Sequence, residues 1–170
     1  ETQKTTCTGV EMFRKLLDLD EIKLIGEIAK KHDLYIIADE VYREFAYDGR
    51  DVTSFGMEPG ISDRVIIIDS VSKRFSACGA RIGCIVSKNK EFMEAVMKIA
   101  QGRLCTSTVD QIGAAALYKL PRSYYDKVKA EYCARRDVVF EELQKIPEVV
   151  CQKPGGSFYI TAKLPVDNVE

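Results

Sequence analysis

Apolar positions recur along this chain with two different periods. Ile22, Ile25, Ile28 and Ala29 share one face at helical spacing, with Asp18 or Asp20 placed to cap a helix that runs to about Lys31. The run "LYIIA" at 34 to 38 is continuous, short and bounded by charges, so it predicts a buried strand whose carboxyl end carries Asp39 and Glu40. "VIIID" at 65 to 69 repeats that pattern and ends at Ser70. "RIGCIV" at 81 to 86 supplies a third strand, joined to the second by a serine-rich segment rather than by a clear helix. Helical spacing returns at about 89 to 103 and 108 to 119, the latter starting from Ser107 with Asp110 and Gln111 within capping-box reach. After Pro121 it continues from about Ser123 to Lys145, with Tyr125, Val128, Tyr132, Val139 and Leu143 as expected buried positions. "VVC" and "SFYITA" flank the turn "KPGG" and predict a hairpin. Helix followed by strand, with polar residues gathered at the strand ends, indicates an α/β sheet whose chemistry lies beyond its carboxyl edge.

Composition narrows the partners. The chain has 170 residues, 46% of them apolar, which is enough for a core that needs no disulfide staples. Basic and acidic residues nearly cancel, 25 against 26, and no basic run is interleaved with aromatics, so nucleic acid is not an expected partner. No apolar stretch reaches the roughly 20 residues of a membrane span and "ETQKTTCTGV" lacks a signal-peptide core, so a cytoplasmic protein is expected. The six cysteines form no C-x-x-C pair and His32 has no partner at metal spacing, so no metal site is expected. The cysteines read as reduced, mostly buried and inert, and His32 as a cation offsetting a helix dipole.

The segment "SVSKRFSACGARIG" at 70 to 83 stands out because Lys73 follows an apolar run and is hemmed in by Ser70, Ser72, Ser76, Gly79 and Arg81. Asp39 with Tyr42 three residues on, Ser70 and Ser72 with Lys73, and Arg81 can converge on one ligand. Each also has a structural use: Asp39 and Glu40 as a helix cap, Tyr42 as a core aromatic, Ser70 as a turn residue, Arg81 as the partner of a surface carboxylate. Together, an acid, a phenol, an amine and a phosphate-type cation suit the polar rim of pyridoxal phosphate.

"ADEVYREF" followed by "DSVSKRFSACGARIG" resembles the class I aminotransferases of the aspartate aminotransferase fold, with the bacterial aspartate aminotransferases most similar. The S-x-x-K spacing, with Arg81 eight residues after Lys73, is the specific part of the likeness. The resemblance implies part of a pyridoxal-phosphate-binding large domain at 20 to 120, with a mainly parallel sheet and flanking helices. A long interdomain helix at 121 to 146 and the start of an α+β small domain at 147 to 170 would follow, after a divergent segment at 1 to 19. It implies pyridoxal 5'-phosphate as cofactor, held as a Schiff base by Lys73, whose freed amine then moves the proton at the substrate Cα. Asp39 would keep the pyridine nitrogen protonated and Tyr42 would donate to the phenolic oxygen. Ser70 and Arg81 would bind the phosphate, with Ser72 a further candidate. Gly79 and Gly83 would let the backbone pass close to the cofactor. Arg103 would touch the side-chain carboxylate of a dicarboxylate substrate. The implied activity is transamination between an amino acid and a 2-oxo acid, aspartate with 2-oxoglutarate, in a homodimer.

The chain departs from the family pattern in length, family members being roughly twice as long or more. Neither the aromatic that stacks on the cofactor nor the arginine that clamps the substrate α-carboxylate has a match. In "TTCTG", Thr8 and Gly9 match, but Thr6 stands where an asparagine is expected, and residues 10 to 19 fit poorly. A middle fragment is therefore expected, with an uncovered sheet edge and no complete catalytic cycle of its own. A non-catalytic fragment or degenerate homologue, or a β-lyase or decarboxylase on the same scaffold, are the alternative readings.

Overall fold

The computed structural model describes residues 17–50 and 52–166. The expectations for Thr6, Cys7, Thr8, Gly9 and residues 10 to 16 lie outside them.

Helix α1 spans Leu19–Lys31, and Asp18 caps it in a reciprocal capping box with Glu21. Ile22, Gly26 and Ala29 are its buried positions, whereas Ile28, expected on the same face, is exposed. Gly26 is there for space: a Cβ would lie 3.0 Å from Ile61 Cγ2. The next strand, β1 (Ile36–Asp39), pairs in parallel with β2 (Val65–Ser70), in register Ile36 with Val65 through Asp39 with Ile68. Strand β3 (Gly83–Ser87) pairs antiparallel with β2, Ser70 facing Gly83. The sheet order is β1-β2-β3, so among the described strands it is mixed rather than mainly parallel. The link from β2 to β3 explains the difference. It is only a one-turn helix α2 (Val71–Arg74) and a 3-10 turn at Cys78–Ala80, too short for the crossover that a parallel strand needs.

Helices α3 (Lys90–Arg103), α4 (Thr108–Leu117) and α5 (Arg122–Gln144) follow. Asn89 caps α3 through the Phe92 amide at 2.9 Å. Ser107 caps α4 through the Asp110 amide, while the Gln111 side chain turns to the Thr106 carbonyl instead of closing a capping box. Under α2 and α4 lies a core of Val71, Phe75 and Ala114, with Ile82, Leu117 and Tyr125 packed against it. On α5 only Arg136 is fully buried; Tyr125, Val128, Tyr132 and Leu143 are half-buried and Val139 is exposed.

The expected hairpin is reduced to β4 (Val150–Cys151) against β5 (Ala162–Lys163). Most of "SFYITA" is not strand, because its leading residues dock elsewhere: Ser157 N donates to Phe45 O and Tyr47 N to Gly155 O, both at 2.9 Å. Cysteines were also expected inside, yet Cys78, Cys84 and Cys105 are exposed and Cys133 and Cys151 half-buried, all as free thiols. With β1 at one edge of the sheet, Ile37 is 66% exposed, and Val109 and Ile112 on α4 are 78% and 69% exposed. Apolar surface does lie open, as expected.

Candidate active site

The carboxyl ends of two neighbouring parallel strands place the candidate residues. Asp39 ends β1 and Ser70 ends β2, and each strand hands over at once to a turn. Adjacent carboxylates divide the work there. Glu40 is buried and engaged, accepting from Ser54 Oγ at 2.6 Å and from Arg43 at 3.5 Å. Asp39 is exposed, its Oδ1 accepting the Val41 amide at 3.2 Å, and it makes no ion pair among the described residues. The cap-like bond read for Asp39 and Glu40 is thus made by Asp39, to the Val41 amide, while Glu40 is held by side chains; the exposed Asp39 carboxylate still faces outward to a ligand.

Ser70 opens α2, its hydroxyl accepting the Ser72 amide at 3.3 Å. A serine hydroxyl that accepts one bond still has its own proton to donate. Ser72 is half-buried and contributes that amide. Lys73, one residue on, carries its Nζ 5.9 Å from the Tyr42 ring centre and 5.7 Å from that of Phe158, within cation–π range of both. It has no carboxylate partner among the described residues. The next residue, Arg74, is buried and pairs with Asp69 at 2.6 Å, so the two neighbouring cations have opposite fates.

Arg81 sits on the short link into β3, two residues before Gly83, which pairs with Ser70. Its backbone is left-handed, φ 55°, an uncommon conformation for a residue with a Cβ. Its guanidinium donates to the Cys78 carbonyl at 3.1 Å and is otherwise exposed, with no surface carboxylate as partner among the described residues. The two glycines have different surroundings. A Cβ at Gly83 would meet the Asp69 carbonyl at 3.1 Å, so that glycine serves strand contact, and Gly79 has open space around it. Arg103 ends α3, exposed, and the structure shows no contact between it and the other candidates.

Tyr42 is the hinge of the cluster. Its hydroxyl lies 2.8 Å from that of Tyr159, and its ring meets Phe158 edge-on at 5.0 Å. Burial first, then the Tyr159 hydroxyl and the Asp39 carboxylate, hold its phenol well above the ordinary tyrosine value. Phe158 and Tyr159 were not recognised in the sequence as site residues. The signal available was "PGGSFY", two aromatics directly after a glycine turn, but it reads equally well as a strand. A cleft of about 330 Å³ adjoins this edge, lined by Ser70, Val71, Gly83, Gln111 and Tyr118 among others. Asp39, Tyr42 and Lys73 do not line that cleft.

The sequence profile described as "Aminotransferase class I and II" matches residues 14–168. The chain belongs to that family. The aminotransferase homologue YugH of Bacillus subtilis (strain 168) is 35% identical over 163 residues, covering 93% of this chain and 42% of that protein. An aspartate aminotransferase of Musicola paradisiaca (strain Ech703) is 32% identical, covering 88% of this chain and 37% of its own length. Among solved structures, alanine aminotransferase from Pyrococcus furiosus superposes with a TM-score of 0.80 at 32% identity, over 92% of this chain and 40% of that one. The chain thus spans about two-fifths of the length of the class I and II aminotransferases it matches. The fold is a partial α/β aminotransferase fold of helices and a mixed sheet.

Proposed function

We propose that this sequence forms part of a pyridoxal-phosphate-dependent aminotransferase in which Lys73 is the catalytic amine. The observation that carries the reading is the meeting of four chemistries on one sheet edge: the Asp39 carboxylate, the Tyr42 phenol, the Lys73 amine and the Ser70 hydroxyl, with Arg81 beside them in a strained backbone. They suit the four polar features of pyridoxal 5'-phosphate, namely its pyridine nitrogen, phenolic oxygen, aldehyde and phosphate. When bound, the cofactor supplies an electron sink for negative charge developing at the substrate Cα.

Lys73 holds the cofactor through its amine and, once released, takes up and returns the proton at Cα. The aromatic faces of Tyr42 and Phe158 confine that amine without neutralising it. Asp39 faces the pyridine nitrogen with a carboxylate free of competing cations. Tyr42 donates to the phenolic oxygen. Ser70 and Arg81 bind the phosphate, Arg81 through its planar fork, with Ser72 beside them. Arg103 is assigned to a substrate side-chain carboxylate, consistent with aspartate and 2-oxoglutarate as the substrate pair. The whole protein works as a cytoplasmic homodimer, with the large domain at 20 to 120, the interdomain helix at 121 to 146 and the small domain beginning at 147. Among the described residues no helix is long and apolar enough to cross a membrane.

The test uses the full-length protein. Loading with pyridoxal phosphate, reduction with borohydride and peptide mapping should place the pyridoxyl group on Lys73. Oxaloacetate formation from aspartate and 2-oxoglutarate should fall about 1,000-fold or more in Lys73→Ala. Label on Lys88 or Lys90 would overturn the assignment, and release of ammonia or a thiol in place of amino transfer would point to lyase chemistry.

A further inference from the structure

Pro154, Gly155, Gly156 and Ser157 are all buried, yet they belong to no helix or strand. A buried backbone without regular structure must find its hydrogen bonds one at a time. For this strap, residues 154 to 159, the segment at 45 to 47 supplies most of them. Tyr47 N donates to Gly155 O and Ser157 N to Phe45 O, both at 2.9 Å, Ala46 bridges Gly156, and Tyr47 Oη donates to the Ser157 carbonyl. The Pro154 carbonyl takes its bond from α5, where Arg136 Nη1 donates to it at 3.0 Å. The same guanidinium grips Asp48 at 2.8 and 2.9 Å, so one buried side chain ties the strap to the segment it lies on. Ser157 then turns through a left-handed conformation, φ 58°, and Phe158 emerges from the buried stretch. Its ring packs among those of Tyr42, Phe45 and Tyr132 at 5.0 to 5.4 Å, and Lys73 Nζ lies over it at 5.7 Å.

We propose that Phe158 is a positioning residue for the Lys73 amine and that Arg136, through the strap, holds Phe158 in place. The inference rests on the reading of Lys73 as the catalytic amine. An ammonium over a ring face is attracted to it, and the ring also covers one approach to the nitrogen. Such a ring restricts where a flexible four-carbon side chain can carry its amine, and group transfer is sensitive to displacements of about 1 Å. Phe158 has no polar group to fix it, so its place follows from the strap beneath it and the rings beside it. Tyr132, one of those rings, stands four residues before Arg136 on α5, so one face of the helix meets both the ring and the strap. Without the guanidinium, the buried Pro154 carbonyl loses its donor. It regains one by lifting toward water, and Phe158 moves with it.

Full-length protein tests this first without cofactor, by acetic anhydride labelling at one pH and peptide mass mapping, with the exposed Lys88 and Lys90 as internal references. Loss of a ring that attracts and covers the amine should speed acetylation of Lys73 in Phe158→Leu by about 2- to 5-fold, while Phe158→Tyr, which keeps the ring, stays near the parent protein. Arg136→Lys should move Lys73 in the same direction. So should Asp48→Asn, by less, in a variant that keeps the size of the side chain and guards against a failure to fold. When Phe158→Leu and Asp48→Asn are combined, Lys73 should react no faster than in Phe158→Leu alone, because the clamp acts through the ring. With pyridoxal phosphate loaded, single-turnover amino transfer from aspartate should show a larger Cα-deuterium isotope effect in Phe158→Leu than in the parent protein, as a defect in proton transfer requires. Unchanged acetylation of Lys73 in Phe158→Leu overturns the inference, as does an equal rise at Lys88 and Lys90, which would mark general loosening. No change in Arg136→Lys and Asp48→Asn, or effects that multiply in the double variant, overturns the role of Arg136. Slower turnover with an unchanged isotope effect overturns the positioning role. If borohydride reduction places the pyridoxyl group on another lysine, it is the reading of the site that fails, and the acetylation series decides whether Phe158 and the clamp place Lys73.

Discussion

Of the three cations that lie over aromatic rings among the described residues, Arg136, Arg135 and Lys73, the first and last differ in every other respect. Arg136 lies over the Tyr47 ring at 4.7 Å, 5% exposed, with both terminal nitrogens on the Asp48 carboxylate at 2.8 and 2.9 Å and a further bond to Pro154 O. Its third nitrogen, Nε, donates to Asp137, which also holds Lys153 at 2.8 Å. Lys73 lies at 5.7 to 5.9 Å from two rings and has no carboxylate among the described residues. A buried charge whose every donor is engaged is built to stay where it is. A half-buried amine that faces rings and has no carboxylate partner among the described residues is available for chemistry. The contrast separates a structural arginine from a candidate catalytic lysine without reference to family.

The largest expected effect is on stability at the first of these sites. Arg136→Met should cost about 3 kcal/mol in urea unfolding, because it leaves Asp48 and the Pro154 carbonyl without their donor. Lys73→Met should stay within about 0.5 to 1 kcal/mol of the parent protein, as expected where no bond is lost. Equal losses at the two sites would erase the distinction drawn between them.

Arg81→Ala sharpens the comparison from the other side. A charged contact to phosphate contributes about 1.5 to 3 kcal/mol, so cofactor affinity should weaken by about 10- to 100-fold, while stability changes little, since among the described residues the side-chain bond of Arg81 is to the exposed Cys78 carbonyl. Equilibrium titration with pyridoxal phosphate measures it, and unchanged affinity would show that Arg81 points elsewhere.

The smallest effect is a pH dependence. The bond from Arg136 holds Asp48 below the usual carboxylate range, with Lys153 and Arg50 adding to it. A carboxylate with a lowered folded-state pKa contributes stability that is fully present above its unfolded value, about 3.9, and is lost as pH falls through the folded value. Stability measured from pH 6 downward should therefore decline more steeply below about pH 4 in the parent protein than in Asp48→Asn. Identical slopes would show that the clamp does not depend on the Asp48 charge.

Local elements were legible because their causes are local. The Asp18 cap and the apolar spacing after it place α1, helical spacing from about 89 places α3, Ser107 begins α4, and the short apolar runs read at 34 to 38 and 65 to 69 contain the strands Ile36–Asp39 and Val65–Ser70. Errors fell where burial depends on what packs opposite. Ile28 and Val139 have the right spacing, but no element covers them among the described residues. Cys78, Cys84 and Cys105 are exposed, whereas Cys133 and Cys151 are half-buried.

The identity and order of Asp39, Tyr42, Ser70, Lys73 and Arg81 are properties of the sequence, and strand ends alone bring the first and third of them to one edge. Tertiary structure decided the rest. It turned β3 antiparallel, assigned Glu40 rather than Asp39 to the buried side, made Arg136 the anchor of the strap, and set Phe158 and Tyr159 around Lys73 and Tyr42. Capping and periodicity act over a few residues and leave a mark at that spacing. A contact such as Tyr42 with Tyr159 depends on how a helix, a sheet edge and a strap pack together, and no local pattern encodes that distance.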